Sequence, residues 1–130
     1  MARKKKVTPF EWGKGPKAET FQLGSAKLTI RGLTYREALH VSPMDKLTGD
    51  IMTMRMAVTA VTGLELDGEA YAPAYEDYEH SGRTVKVMTD ESFDAIFEPN
   101  YVVVLQVLAI IVRLTGVTVG EATAAKLFRS

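Results

Sequence analysis

The stretch Tyr101–Leu114, reading YVVVLQVLAIIVRL, decides the fold of this chain. Only Gln106 and Arg113 interrupt its apolar character, and it contains neither Gly nor Pro. Its β-branched content leaves strand and helix open on periodicity alone. Length separates them, because the run exceeds a usual strand and suits a helix of about four turns. The flanks agree, with Pro99-Asn100 as a start signal and Thr115-Gly116 as a stop. A helix apolar on all sides must be covered on all sides. The expectation is therefore a central helix against which other elements, or other subunits, pack. The run falls short of the roughly 18–20 residues that span a bilayer, so no membrane partner is expected.

Working outward toward the N-terminus, Thr89 or Asp90 caps a short helix, Glu91–Phe97, with Phe93, Ile96 and Phe97 on one side. Thr84–Met88 reads as a short strand that could extend an earlier sheet. Leu64–Arg83 reads as a loop of about 20 residues, long for a compact domain. In it Tyr71, Tyr75 and Tyr78 are interleaved with Glu76, Asp77 and Glu79. Tyrosines among acids suit a protein-binding surface as well as a solvated loop. Before it, Ser42-Pro43-Met44-Asp45 starts a helix, with Ser42 as N-cap and Pro43 at its first position. Met44, Leu47, Ile51, Met54, Val58 and Val61 recur at helical spacing and predict one helix of about 20 residues ending at Gly63. Met52 and Met56 lie off that stripe. Methionines fill cores, and they also build adjustable binding surfaces.

Thr34-Tyr35-Arg36-Glu37 is a capping box opening a short helix through Val41. Thr20–Gly32 predicts a β-hairpin around Gly24-Ser25, with Leu28 and Ile30 facing the core. Residues 1–19 predict a flexible basic arm carrying Phe10 and Trp12. Beyond Gly116, Thr118–Glu121 forms a second capping box before a final helix, Val119–Phe128. The expected fold is thus mainly α, a single domain of packed helices over residues 20–130 with a small N-terminal β-hairpin.

The composition, 46% apolar and 25% charged, is that of an ordinary globular domain. Cysteine is absent, which removes disulfides and thiol chemistry and leaves zinc only His40, His80 and carboxylates. Net charge is zero but unevenly spread. Residues 1–40 hold nine Lys/Arg against three acids, residues 41–100 four against twelve, and residues 101–130 three against one. A basic face on one copy meeting an acidic face on the next would build a head-to-tail homo-oligomer. The residues assigned to that contact are Lys27, Arg31 and Arg36 against Glu76, Asp77 and Glu79. Arg3–Lys6 could touch nucleic acid, but the run is short and no reading motif follows, so nucleic acid is not the expected partner.

Catalysis needs converging groups with distinct roles. No nucleophile motif, phosphate loop, His-Glu-x-x-His or dinucleotide fingerprint occurs, and no EF-hand pattern. No catalytic residues, metal or cofactor are expected, which leaves a protein that works through its surfaces.

The order of elements carries a resemblance. A basic arm leads into Lys27-Leu28-Thr29-Ile30-Arg31-Gly32-Leu33-Thr34, followed at once by a helix starting Tyr35-Arg36-Glu37-Ala38-Leu39. An amphipathic helix ends near Leu66-Asp67-Gly68-Glu69. A late apolar helix ends in Leu114-Thr115-Gly116, before a small Ala/Glu helix. Over residues 20–130 this resembles the tail assembly chaperones of long-tailed, lambda-like phages. The acidic, tyrosine-rich segment 70–82 departs from that pattern. The resemblance implies a non-enzymatic morphogenesis factor of the host cytoplasm, absent from the mature virion. Such a factor binds the tape measure protein, keeps its apolar helices in solution and helps recruit tail tube protein. Family members self-associate and are made in two forms, the longer by a programmed frameshift, and this chain reads as the short form. Met52 and Met56 are the residues assigned to the client. An oligomeric adaptor of the tail or head–tail junction, and a nucleic-acid-binding module using the basic arm, are the alternatives.

Overall fold

Ala26, Leu28 and Ile30 alternate with Lys27, Thr29 and Arg31, and the strand they form is the spine of the fold. The computed structural model describes residues 15–115. In chain order it contains β1 (Ala18–Leu23), β2 (Ala26–Arg31), α1 (Tyr35–Val41), α2 (Lys46–Ala57) and β3 (Val58–Thr62). These are followed by β4 (Glu65–Leu66), β5 (Glu69–Ala70), β6 (Tyr75–His80), β7 (Arg83–Met88), α3 (Asp90–Ile96) and α4 (Tyr101–Thr115). Strand β2 is central in an antiparallel sheet of order β1-β2-β3, and Ala26, Leu28 and Ile30 are all buried. Two further antiparallel pairs, β4-β5 and β6-β7, complete the strands.

The expectation of a mainly α domain is overturned. The described residues are 41% helical and 33% strand, in three small antiparallel sheets. Two misreadings account for the difference. The first is the end of α2, which stops at Ala57 instead of running to Gly63. Val58-Thr59-Ala60-Val61-Thr62 is rich in β-branched residues, which favour strand over helix. Here it pairs with β2, Leu28 opposite Val61 and Ile30 opposite Val58, with a register shift between Thr29 and Ile30. That bulge lets both Val58 and Val61 point inward.

The second misreading is the loop expected over Leu64–Arg83. Its residues Tyr75–His80 form β6 and pair as a hairpin with β7, the strand expected over Thr84–Met88, with Tyr75 opposite Met88 and Tyr78 opposite Val85. Its turn, Ser81-Gly82, has φ of 50° and 75°, the two left-handed residues of a type I′ hairpin turn. One side of the hairpin puts Tyr78, Val85 and Val87 against α2. Met88 is buried in the main core, where Tyr75 packs against it, and the Tyr75 hydroxyl donates to the Val58 carbonyl at 2.8 Å. Burial pushes the Tyr75 phenol up to about 12. Strand β7 therefore does not extend the β1–β2 sheet.

Other local expectations stand. The hairpin β1–β2 turns at Gly24-Ser25, although β1 begins at Ala18, inside the segment expected to be flexible. Both halves of the capping box are made, Glu37 N–H to Thr34 Oγ1 at 3.2 Å and Thr34 N–H to Glu37 Oε1 at 2.9 Å. Thr89 caps α3. Asp45, not Ser42, caps α2, because Ser42 N–H still bonds back to Ala38 O and closes α1. Phe10, Trp12 and the expected helix Val119–Phe128 lie outside the described residues.

Two clusters share the burial. The main one sets the β1-β2-β3 sheet against α3 and α4, with Ile30, Met54, Val58, Phe97, Val107 and Ile111 each at most 1% exposed. The second joins Met52, Met56 and Val87 between α2 and β6–β7. Helix α2 is thus buried on two faces, while Leu47 of the expected single stripe is 69% exposed. Arg55 ties α2 to the hairpin, donating to Met88 O at 2.6 Å and Glu76 Oε2 at 2.7 Å.

Gly32 joins the sheet to the C-terminal end of α4. A Cβ there would lie 2.6 Å from Thr115 N and 2.8 Å from Leu114 C, both backbone atoms. Thr115 Oγ1 accepts from Leu33 N–H at 2.8 Å beside it. Gly32→Ala is expected to push α4 off the sheet and to lower stability by about 2–3 kcal/mol, as overpacking does. Urea denaturation of the two proteins checks this.

Candidate functional site

Helix α4 was expected at the centre of the fold and is instead on its outside. Its inner residues Val107, Ile111 and Leu114 follow a 4-3 spacing and are at most 3% exposed. On the opposite side, Val102, Leu105, Ala109 and Val112 follow a 3-4-3 spacing and are exposed, Val102 at 64%, Leu105 at 48% and Val112 at 55%. Tyr101, at 71%, extends this face at the helix start. The helix thus carries two apolar stripes, and the fold buries one. An apolar stripe with heptad-type spacing on a helix surface is the pattern that receives another helix, knobs entering the holes between residues.

The stripe borders a groove. Phe21, Leu23, Leu28 and Ile30 of the β1–β2 hairpin and Val107, Ala109 and Ile110 of α4 line a cavity of about 350 Å³. Leu23 at its rim is 36% exposed. Arg113 closes one end, with Nη2 3.4 Å from Glu19 Oε1 and its guanidinium carbon 5.8 Å from the centre of the Phe21 ring. Helices α3 and α4 meet at 118°. That bend is held by Asn100, whose N–H donates to Phe97 O and whose Nδ2 donates to Ile96 O, both at 2.8 Å. The helix carrying the exposed face is thus held at its start by Asn100 and at its end by the bond from Leu33 N–H to Thr115 Oγ1. Among the described residues no single helix is long and apolar enough to cross a membrane.

The residues singled out from the sequence fall elsewhere. Met52 and Met56, at 6% and 0% exposure, are interior and present no surface to a client. A stripe count placed them off the single expected face, but α2 has a second buried face against β7. Of the charges assigned to self-association, Arg31 is held by Glu37 in a forked pair at 2.7 and 2.8 Å. Glu76 is paired with Arg55 at 2.7 Å and Asp77 with Lys86 at 2.8 Å across the hairpin. Glu79 accepts a long bond of 3.5 Å from Thr84 Oγ1, and Arg36 donates to Ser81 O at 3.3 Å. Lys27 is exposed on β2. Arg31, Glu76 and Asp77 are thus each paired within one copy, with a neighbour from the same part of the chain. The residues that the sequence reading missed are Val102, Leu105 and Val112. Their 3-4-3 spacing was legible inside the apolar run, but which stripe faces inward was not.

Among the described residues no three His, Asp or Glu side chains gather as a metal site would require. No protein-family model, curated protein or solved structure matches this chain.

Proposed function

We propose that this protein is a non-enzymatic tail assembly chaperone of a long-tailed phage, which holds an apolar helix of the tape measure protein on the outer face of α4. The exposed stripe Val102-Leu105-Ala109-Val112 carries the reading. A holdase must keep apolar surface available while its own core is satisfied, and exposed apolar surface of this kind marks a protein-binding site. The β1–β2 hairpin leading directly into α1 and the late apolar helix α4 are the parts of the resemblance that support the family, and the heptad-type spacing supports a helical client. Bound client helix extends the helix packing by one layer, with the groove beside β1 taking side chains from its flank. On this reading the protein acts in the host cytoplasm, recruits tail tube protein and is left out of the finished particle.

Co-expression with the tape measure protein of the same genome tests it. The long protein is expected to become soluble and to elute with this chain. Leu105→Glu combined with Val112→Glu is expected to abolish co-elution while leaving the circular dichroism spectrum unchanged, since both side chains face away from the core. A tape measure protein that stays insoluble beside well-folded chain, or one held equally well by the double variant, overturns the proposal.

A further inference from the structure

Between α1 and the β6–β7 hairpin lies a second, open cavity of about 420 Å³, whose lining mixes polar side chains with Tyr35 and Val85. Thr34, Arg36 and Glu37 line it from the start of α1, and His80, Arg83 and Thr84 from the hairpin. Glu37 does not make it acidic, because Arg31 grips both carboxylate oxygens and Thr34 N–H donates to one of them. Arg36 uses one guanidinium nitrogen on Ser81 O, at 3.3 Å, which ties α1 to the hairpin turn. The exposed Arg83 side chain has no hydrogen-bond or ion-pair partner among the described residues.

His80 is the unusual member. It is 7% exposed, and its Nδ1 is buried without a hydrogen-bond partner. Buried polar atoms are almost always paired, and an exception asks for a reason. The neighbouring rings do not supply one. His40 lies 5.0 Å from His80 between ring centres, and its Nε2 is 2.6 Å from the Tyr78 hydroxyl, so those two groups satisfy each other. The cavity therefore brings together Arg36 and Arg83, neither with an ion-pair partner among the described residues, beside a buried imidazole with one unpaired nitrogen.

We propose that this pocket binds a phosphate group, as the free ion or as a phosphomonoester. Guanidinium forks match phosphate oxygens in a bidentate manner. The donors come from two elements, the start of α1 and the hairpin, which suits a tetrahedral anion with three or four acceptor oxygens better than a flat carboxylate with two. Phosphate bound there bridges Arg36 to Arg83, clamps the hairpin to α1, and changes the environment of His80. The site is separate from the α4 face and does not rest on the chaperone reading.

The test is nuclear magnetic resonance on the full chain at constant ionic strength, reading the His80 ring nitrogens and the amides of Arg36 and Arg83. Inorganic phosphate, glycerol 3-phosphate and acetate are titrated separately. Saturable shifts with phosphate or glycerol 3-phosphate, and none with acetate, are expected. Tighter binding of glycerol 3-phosphate than of phosphate identifies an organic phosphomonoester as the ligand, and equal binding identifies the ion. Arg83→Ala, at an exposed position that leaves the core intact, is expected to weaken binding by about tenfold or more, as loss of a charge-assisted fork does. Linear, unsaturated shifts, an equal response to acetate, or unchanged binding by Arg83→Ala overturns the proposal.

Discussion

Ile111→Ala is expected to lower the unfolding free energy by about 3–4 kcal/mol, and Val112→Ala, one residue on, by less than about 0.5 kcal/mol. Ile111 is 1% exposed and packs in the main cluster with Ile30, Met54 and Phe97. Truncation there removes buried methylene groups and leaves a cavity between α4 and the sheet that the neighbours refill only in part. Val112 is 55% exposed and loses almost nothing by truncation. Sequence hydropathy assigns the two residues the same role, so the contrast isolates the two stripes of α4. Urea denaturation of each variant measures it through the midpoint at unchanged slope. Equal losses at both sites would mean that the outer stripe is buried in solution, and the client-binding surface would have to be sought elsewhere.

Glu37→Ala is the second large effect, expected at about 3 kcal/mol of destabilisation. Glu37 and Arg31 have side-chain exposures of 5% and 18% and share two hydrogen bonds. Removing the carboxylate strands a mostly buried guanidinium and also opens the α1 capping box, which loses the bond from Thr34 N–H. Such a loss is mainly the penalty of an uncompensated buried charge, not the net worth of the pair. A pH dependence follows from the same contacts. Burial by itself disfavours the Glu37 carboxylate more than any single contact favours it. The hydrogen bonds from Arg31, the Thr34 N–H and the Arg31 charge together outweigh burial and hold its pKa below the usual carboxylate value. A group with a lowered folded pKa stabilises the native state above its unfolded pKa and loses that contribution as pH falls through the folded value. Stability of the wild-type chain is therefore expected to decline from about pH 5 downward. Glu37→Gln, which has no proton to gain, is expected to show a shallower decline over the same range. Denaturant midpoints at pH 7, 5, 4 and 3 for both proteins decide this, and parallel curves would remove Glu37 as the cause.

How much of the fold was legible follows from the range of the forces involved. Thr34 and Glu37 bond to each other's backbone across three residues, and Thr89 Oγ1 accepts from the Ser92 N–H over the same span. Gly24-Ser25 joins two strands that are sequence neighbours. These contacts are written in short words of sequence, and each appears in the structure where it was expected. The outer stripe of α4 was also written there as spacing, but a helix apolar on both sides does not say which side the sheet will take.

What the sequence determined by itself was therefore local: the first hairpin, the caps of α1 and α3, and the extent of α4. Tertiary structure decided the rest. Val58–Thr62 leaves the helical pattern because β2, about 30 residues earlier, offers an unpaired edge, and a ladder of backbone hydrogen bonds outweighs a spacing that a helix would also have accepted. Tyr75–Met88 becomes a hairpin because Met52 and Met56 of α2 give Tyr78, Val85 and Val87 something to bury against. The same packing takes the two methionines out of the surface. It pairs Glu76 and Asp77 of β6 with Arg55 and Lys86 of their own chain. Burial and charge pairing are properties of neighbours in space, and only the folded chain determines those neighbours.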